Sequence, residues 1–215
     1  MEEFLNLIKN LNIVITGTSR GVGLELTKKL LIYGNNVWGC SRNKSIISNK
    51  KYFHTRLDLC KEKNLKDWIG KIEKQSNKKI DILILNSSIF NRSLNSLETD
   101  TSIIDTLKIN LLSPILIVKY ISRFMVQNRK GTIIFFSSIA SVLDEIGTSS
   151  YASAKSGLET FSKIIQKELK PFRINVSAFR ILYISTKLSN KLKKGKIESL
   201  KKKFKSKNLE GLKKY

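Results

Sequence analysis

Two weakly acidic side chains, Tyr151 and Lys155, stand four residues apart in the run Tyr-Ala-Ser-Ala-Lys. In a helix this spacing places them one turn apart on the same face. A cation beside a phenol favours the phenolate and lowers its pKa, so that the phenol can donate a proton near neutral pH. The pair therefore indicates general acid catalysis, for example protonation of a carbonyl oxygen while hydride reaches the carbon. The alternative is an ordinary pair of surface residues.

A second hydrogen-bond donor is expected beside the same oxygen. Ser137 and Ser138 end the apolar run GTIIFFSS at residues 131–138, which is predicted to be a strand. Polar side chains at the carboxyl end of a parallel strand lie where α/β sheets bind their ligands. A serine hydroxyl at this edge would orient the carbonyl and stabilise the charge that develops on its oxygen.

Three glycines join the first predicted strand to the first predicted helix. Gly17, Gly21 and Gly23 lie in the run TGTSRGVG at residues 16–23, between an apolar run and an amphipathic one. Glycines allow a tight turn and let a pyrophosphate approach backbone amides at a helix N-terminus. This context predicts a dinucleotide-binding loop, and the alternative is a glycine-rich turn without a ligand.

Strand-like and helix-like runs alternate along most of the chain, and Pro114 predicts a kink or break in the longest helical run. Continuous apolar strands alternating with amphipathic helices predict an α/β fold, a doubly wound parallel sheet with helices on both faces. With no internal repeat or linker, residues 1–215 are expected to form a single domain whose segment 187–215 is lysine-rich. The predicted strands are 11–16, 36–41, 52–59, 80–88, 131–138 and 174–179, and the predicted helices are 23–34, 65–76, 99–128 and 150–170.

The composition is that of a globular protein with an unusual charge. Forty lysines and arginines against 17 acidic residues give a net charge of +23 over 215 residues. Such a charge attracts acidic partners, whereas drift towards A/T-rich codons would explain the same excess without a function. Two cysteines and one histidine provide neither a disulfide framework nor a metal site. No signal peptide and no apolar run near the ~20 residues of a membrane span is found, so a cytoplasmic protein is expected.

In combination these motifs resemble the short-chain dehydrogenase/reductase family, whose pattern covers residues 11 to about 178. The features that carry the resemblance are the glycine loop, Asp58 after the third strand, Asn110, Ser138, and Tyr151 with Lys155, in this order and spacing. The resemblance is greatest to 3-oxoacyl-[acyl-carrier-protein] reductases. It implies a Rossmann-like fold and a nicotinamide cofactor.

The resemblance also assigns catalytic roles. Tyr151 would be the proton donor, and Lys155 would lower its pKa and hold the nicotinamide ribose hydroxyls. Ser138, thirteen residues before Tyr151, matches the family spacing and is chosen over Ser137 as the residue that orients the carbonyl. Asn110 would hold a water that relays protons to the lysine, and the alternative for it is a residue that shapes a helix kink or turn.

The residues after the second and third strands bear on the choice of dinucleotide. An acidic side chain about 20 residues beyond the loop would bind the ribose of NAD, but the second strand ends with Ser41 and Arg42. Arg42 and Arg20 offer planar cations for a 2′-phosphate, so NADP(H) is favoured over NAD(H), although a solvated arginine is the alternative. Asp58 resembles the aspartate that contacts the adenine amino group, with a strand-end cap as its alternative. The residues predicted to bind the cofactor are Gly17, Ser19, Arg20, Gly21, Val22, Gly23, Ser41, Arg42, Asp58, Leu59, Asn86, Tyr151, Lys155 and Thr186.

Three departures from the family pattern carry expectations. Asn86 is kept after the fourth strand, but the glycine of the family's Asn-Asn-Ala-Gly is absent, so the contact with the adenosine ribose is expected to change. After the sixth strand the family usually has Pro-Gly and then a threonine, whereas in the run from Phe179 to Thr186 the Pro-Gly is replaced and Thr186 lies somewhat further along. The chain also ends near the family's substrate lid, before its seventh strand. Six strands are therefore expected, with a homodimer contact through the helices at 99–128 and 150–170.

These patterns predict an NADPH-dependent reductase of a ketone or a 3-oxoacyl thioester, as a small molecule or bound to an acyl carrier. The departures support one alternative, an NADP-binding protein with reduced or lost catalysis that acts through interaction. Binding of nucleic acid or another polyanion through the lysine-rich tail is a third reading, which no nucleic-acid motif supports.

Overall fold

The computed structural model describes residues 8–181, which form one parallel sheet in the order β3-β2-β1-β4-β5-β6. The fold class predicted from the alternating runs is confirmed, with six strands in this part of the chain. The strands are β1 (Asn12–Thr16), β2 (Asn36–Ser41), β3 (Tyr52–Arg56), β4 (Ile82–Leu85), β5 (Gly131–Ser138) and β6 (Ile174–Ile181).

Helices connect the strands, as expected for parallel pairs that need a crossover. Short 3₁₀ turns cover Asn95–Leu97, Ile139–Ser141 and Lys170–Phe172. The α-helices are α1 (Gly21–Ile32), α2 (Glu62–Ser76), α3 (Asp100–Leu107), α4 (Ser113–Asn128) and α5 (Ser149–Leu169).

The alternation of apolar residues in β1 divides the core between the two faces of the sheet. Val14 belongs to a cluster with Trp68 of α2, Ile121 of α4 and Phe135 of β5. Its neighbour Ile15, which points to the opposite face, belongs to a second cluster that includes Leu30 and Leu31 of α1. Helices therefore cover both faces of the sheet, which explains why the strands read as continuous apolar runs.

Two strands, β3 and β4, end earlier than the sequence predicts. The backbone groups that follow them bond to a side chain or within a turn instead of to a neighbouring strand. The segment 80–88 pairs only over Ile82–Leu85, since the next two amides bond to the Thr16 hydroxyl instead of a neighbouring strand. The segment 52–59 ends at Arg56, before a turn in which Lys61 N bonds to Asp58 O. β6 is longer than predicted and pairs with β5 up to Ser138↔Ile181.

The break predicted at Pro114 takes the form of a π-turn over Lys108–Leu112, between α3 and α4. The amide of Ser113 bonds to the carbonyl of Lys108, one residue further back than in an α-helix. Pro114 has no N–H, so the carbonyl of Asn110 has no helical donor at the usual i+4 position. Asn110 lies within this π-turn, and its side chain is fully buried in the core.

The run from Asp100 to Asn128 is one helical stretch of 29 residues, long and apolar enough by composition to span a membrane. Its residues Ile117, Val118, Ile121 and Met125 are buried in the core cluster beside the sheet. The core helix of a folded domain meets the same length and composition test, so this run does not by itself indicate a membrane span.

Candidate active site

The carboxyl ends of β1, β4 and β5 meet at one edge of the sheet, and every described candidate residue lies near this edge or the adjacent end of β2 and β3. β2 and β3 follow β1 in the chain and lie on one side of it, whereas β4 lies on its other side. The strand order therefore reverses between β1 and β4. Parallel sheets bind ligands in the crevice that opens at such a reversal.

The glycine loop is packed so closely that two of its glycines cannot be replaced without displacement. Gly17 adopts φ +79°, and a Cβ placed there would lie 2.8 Å from Asn86 Nδ2. A Cβ on Gly23 would lie 2.1 Å from the Gly17 carbonyl oxygen. Gly21, at φ +58°, starts α1 in a left-handed conformation. The loop is therefore shaped by its glycines whether or not an anion binds.

The N-terminus of α1 points its first amides into this crevice. The preceding residue, Arg20, is extended and exposed, and its side chain does not cap the helix. Ser19 and Val22 are half-buried on either side of it. First-turn amides without a side-chain cap, reinforced by the helix dipole, suit a phosphate group, and a nearby arginine adds positive charge. The predicted pyrophosphate residues thus come together in an arrangement that fits an anion.

Asn86 acts on the glycine loop from β4. Its side-chain amide donates to the carbonyl oxygens of Thr16 at 2.9 Å and Gly17 at 3.2 Å. In return the Thr16 hydroxyl oxygen accepts the backbone amides of Asn86 at 3.0 Å and Ser87 at 2.9 Å. These bonds fix β1 and β4 at the point where the crevice opens. Thr16 is a site-shaping residue that sequence reasoning missed, although a threonine ending a buried strand is a usable signal.

The end of β2 holds its residues in different environments. Ser41 is nearly buried: its hydroxyl donates to the Asn43 carbonyl at 2.8 Å and lies 2.7 Å from His54 Nε2. Burial lowers the pKa of the His54 imidazole below its ordinary value, so the ring beside Ser41 is neutral at pH 7. The side chain of Arg42 is exposed, and its carbonyl accepts from Arg56 Nε at 2.9 Å. An exposed guanidinium therefore stands beside a compact, neutral serine.

Asp58 and Leu59 lie after β3 rather than in it. Asp58 is half-buried and accepts the backbone amide of Cys60 at 3.0 Å, which is the capping bond considered from the sequence. The Leu59 side chain is buried in the core, and its carbonyl accepts the Ser113 hydroxyl at 2.8 Å. Leu59 can therefore meet a ligand only through its backbone amide.

The first two turns of α5 carry the tyrosine–lysine pair. Tyr151 is half-buried and makes an edge contact with Phe90, with ring centroids 4.9 Å apart. Lys155 is 3 % exposed, its Nζ lies 5.8 Å from the centroid of the Tyr151 ring, and it donates to the Phe136 carbonyl at 2.8 Å. Burial lowers the pKa of Lys155 to about 8, against the opposing effect of the Glu159 carboxylate. The two side chains thus share one side of the crevice.

The two serines at the end of β5 point in opposite directions. Ser137 is buried and donates to Glu159 Oε1 at 2.7 Å. Ser138 is half-buried and accepts the amide of Ala140 at 3.2 Å. Among residues 8–181 no acceptor is found for the Ser138 hydroxyl proton, which leaves this proton available to a ligand. The geometry therefore agrees with the choice of Ser138 over Ser137.

Asn110 uses its whole side chain to hold the loop after β4. Its Oδ1 accepts from Ser88 Oγ at 2.6 Å and from Ile89 N at 3.3 Å, and its Nδ2 donates to the carbonyls of Ile89 at 2.8 Å and Thr106 at 3.0 Å. This is the turn-shaping role considered as the alternative. The group of Asn110 that lacks a helical donor is its backbone carbonyl, because Pro114 follows four residues later.

A shallow cleft of about 380 Å³ opens beside the start of α5. Leu94, Ile146 and Ala152 contribute apolar surface to it, and Ala152 directly follows Tyr151. Thr186 and the segment 187–215, predicted to bind the cofactor and to form the substrate lid, lie outside the described residues.

Known proteins match both the sequence and the fold. The family described as short chain dehydrogenase matches residues 11–197. A 3-oxoacyl-[acyl-carrier-protein] reductase FabG of Chlamydia pneumoniae is 30 % identical over 189 residues, which cover 84 % of this chain and 76 % of that protein. The NADPH-dependent 1-acyldihydroxyacetone phosphate reductase of Saccharomyces cerevisiae is 28 % identical, over 76 % of this chain and 57 % of that one.

A solved structure supports the same relationship at the level of the fold. The short-chain dehydrogenase of Leptospira borgpetersenii with bound NAD⁺ superposes with a TM-score of 0.76 at 22 % identity, over 84 % of this chain and 74 % of that one. The family match extends from before β1 to beyond β6 and so includes the whole sheet and the crevice described above. This chain therefore belongs to the short-chain dehydrogenase/reductase family and is an oxidoreductase that acts on CH–OH or C=O groups.

Proposed function

We propose that the chain is an NADPH-dependent carbonyl reductase whose substrate is a ketone or a 3-oxoacyl thioester. The observation that carries this proposal is the side-by-side placement of Tyr151, buried Lys155 and the available Ser138 hydroxyl at the sheet edge that also carries the uncapped N-terminus of α1. One end of the crevice suits a phosphate and the other carries proton donors. This is the division that reduction by a dinucleotide requires.

The residues take separate roles in this proposal. Tyr151 would donate a proton to the carbonyl oxygen, and a nicotinamide held in the crevice would supply the hydride that reaches the carbonyl carbon. Ser138 donates a hydrogen bond to the same oxygen and orients it. The ammonium of Lys155 would stabilise the negative charge left on Tyr151 and hold ribose hydroxyls. The Asn110 carbonyl would hold a water that returns protons towards the lysine.

The preference for NADPH rests on the end of β2. No acidic side chain occupies the position of Ser41, and the exposed guanidinium groups of Arg42 and Arg20 can pair with a 2′-phosphate. The yeast relative is described as NADPH-dependent, whereas the Leptospira structure holds NAD⁺. The charge argument favours the phosphorylated cofactor, and comparing dissociation constants for NADPH and NADH with Arg42→Ala measures it directly.

The 3-oxoacyl thioester is favoured among carbonyl substrates by three observations. The Chlamydia relative is described as a reductase of 3-oxoacyl groups carried on acyl carrier protein. The net charge of +23 would attract an acidic carrier, although compositional drift explains the same charge. The apolar wall of the cleft beside Tyr151 suits an acyl chain. Residues 1–215 are proposed to form a single domain.

The assay is oxidation of NADPH with an acetoacetyl thioester and a small panel of ketones, comparing the wild type with Tyr151→Phe. Turnover that disappears in the variant while NADPH still binds supports the reductase. NADPH binding without turnover of any substrate would support the second candidate, a cofactor-binding protein that acts through interaction. The missing glycine after Asn86 and the missing Pro-Gly after the sixth strand favour that candidate.

A cytoplasmic homodimer is the proposed state of the protein. Large apolar side chains are exposed on α3, on the π-turn and on α5, namely Ile104, Leu107, Leu112 and Ile164. Burying such residues between two copies would remove apolar surface from water. Light scattering of the wild type and of Ile104→Lys tests this contact, since a monomeric wild type would exclude it.

A further inference from the structure

Glu159 is a buried carboxylate to which the proposed chemistry gives no direct role. It lies one turn beyond Lys155 on α5 and is 8 % exposed. Its oxygens accept hydrogen bonds from Ser137 at 2.7 Å and from Ser141 at 2.6 Å. Arg180 adds a two-pronged ion pair, with Nε at 2.9 Å from Oε1 and Nη2 at 2.6 Å from Oε2. A carboxylate this well satisfied is built into the structure rather than left on a surface.

The partners of Glu159 come from three different elements. Ser137 belongs to β5, Ser141 to the 3₁₀ turn that follows β5, and Arg180 to β6. Ser137 and Ser141 bracket Ser138, the serine whose hydroxyl faces the crevice. A second bond from α5, from the Ser156 hydroxyl to the Ser141 carbonyl at 2.9 Å, holds the same turn. The segment that carries Ser138 is therefore tied to α5 on both of its sides.

Arg180 lies near the carboxyl end of β6. It is the register partner of Ser137 in the β5–β6 pair, so its side chain emerges beside the serine that Glu159 also binds. Burial would raise the pKa of Glu159, but hydrogen bonds from Arg180, Ser141 and Ser137 and the charge of Arg180 outweigh this effect and lower the pKa below its usual value. The carboxylate is thus ionised at neutral pH and keeps its two serine bonds and its arginine.

We propose that Glu159 is a positioning residue that fixes Ser138 relative to Tyr151, with Arg180 as its counter-ion. Tyr151 and Glu159 lie on the same helix, and Lys155 between them bonds to the Phe136 carbonyl of β5. α5 therefore holds β5 through Lys155 and the following turn through Glu159, which sets the distance between the tyrosine and the serine. The relevance of this distance to turnover rests on the proposed reductase function, but the tethering itself does not.

The matched test compares Glu159→Gln with Glu168→Gln, an exposed glutamate further along the same helix. Glutamine keeps the size of Glu159 but replaces one acceptor oxygen by an NH₂ group that faces hydroxyl and guanidinium donors. Hydrogen exchange of the peptide covering residues 138–142 should become about tenfold faster in Glu159→Gln, because the turn opens locally more often. Glu168→Gln should exchange like the wild type. Wild-type exchange at 138–142 in Glu159→Gln would overturn the proposal.

Kinetics separate positioning from general stability. In Glu159→Gln, kcat should fall about tenfold to hundredfold with the KM for NADPH within about twofold, because misplacing a donor slows the chemical step without removing the cofactor site. Restoring the carboxylate on a shorter arm, in Glu159→Asp, should recover part of the lost exchange protection. An equal loss of kcat in Glu168→Gln, or a loss confined to KM, would contradict the assigned role. If the wild type turns over no substrate, the exchange measurement still decides the tethering, so the two proposals fail separately.

Discussion

The ammonium of Lys155 donates to the carbonyl of Phe136 at 2.8 Å, and through this bond α5 grips the strand that ends in Ser138. The lysine is 3 % exposed, so a charge that ordinarily lies in water is held inside the protein. Burial of the charged form explains why its pKa is lowered to about 8. Lys155 thus holds α5 against β5 and places a positive charge near Tyr151. It also makes the free energy of unfolding depend on pH.

Replacing Lys155 by methionine should change the pH dependence of stability. A lysine whose pKa is 10.5 in the unfolded chain and about 8 in the folded one opposes folding below about pH 8. That opposition is relieved as the pH rises between these values, because the unfolded state then binds more protons than the folded state. The wild type should therefore gain roughly 2–3 kcal/mol relative to Lys155→Met between about pH 7 and 10, on the scale of ~1.4 kcal/mol per pKa unit.

Urea unfolding of both proteins at the two pH values measures this difference, with Lys167→Met, an exposed position of α5, as the control. Effects of other groups that titrate in this range cancel in the comparison. Parallel pH profiles for the wild type and Lys155→Met would show that the lysine titrates alike in the folded and unfolded chains.

Replacing Gly23 by alanine should damage the glycine loop. The added methyl group would meet the Gly17 carbonyl at 2.1 Å, which is backbone and cannot yield without moving the loop, and the Asn86 side-chain amide at 2.4 Å, which bonds to the same loop. We expect a loss of about 1–3 kcal/mol in the free energy of unfolding, the usual range for overpacking, and weaker NADPH binding.

Gly70→Ala in α2 is the matched control, because a Cβ there meets nothing within 4 Å. Removing a helix glycine in open space should stabilise the protein by about 0.5–1 kcal/mol. Chemical unfolding and NADPH titration of the two variants distinguish the effect of the close contacts at Gly23 from the effect of replacing any helix glycine. Equal effects of the two substitutions would refute the packing argument.

Substitutions of the two serines at the end of β5 should have different effects, one on catalysis and the other on stability. Ser138→Ala removes a hydroxyl whose proton faces the crevice, so kcat should fall by about 10²–10³ while the melting temperature stays near that of the wild type. Ser137→Ala leaves a buried carboxylate with one bond fewer and should lower the free energy of unfolding by about 1–2 kcal/mol. Thermal melts and turnover of the two variants are compared directly, and the reverse pattern would mean that Ser137 is the residue in contact with substrate.

Local patterns in the sequence predicted the sheet and the glycine loop, because an apolar run indicates a buried strand and closely spaced glycines indicate a tight turn. Strand ends were predicted less well, since the bonds that end β4 come from Thr16, some 70 residues away in the chain. Pro114 predicted an interruption, but no local rule specifies that it becomes a π-turn that buries Asn110.

Glu159 was missed for a related reason. A charged residue in a lysine-rich helix reads as part of a solvated face, and its burial becomes evident only when Arg180 of β6 is brought against it. The sequence did show the arginine, just after the sixth predicted strand, and it did show the glutamate, near Tyr151. What it could not show is that the two meet, because the contact depends on the register of β5 with β6 and on the docking of α5.

The Glu159–Arg180 pair should behave as a coupled unit in a double-mutant cycle. Removing one charge breaks a largely buried, hydrogen-bonded ion pair, so Glu159→Gln and Arg180→Met should each lower the free energy of unfolding by about 3 kcal/mol. The double variant removes both charges and should lose less than the sum, which gives a coupling of about 2–3 kcal/mol.

The exposed pair of Glu25 and Lys28 on α1, 2.9 Å apart with side chains 64 % and 44 % exposed, provides the control cycle. Solvent screening should keep its coupling below about 0.5 kcal/mol. Urea unfolding of all six single and double variants gives both coupling energies under the same conditions. Additive losses for Glu159→Gln and Arg180→Met would mean that the two side chains stabilise the end of β6 independently, and the carboxylate would then hold the Ser138 turn through its serine bonds alone.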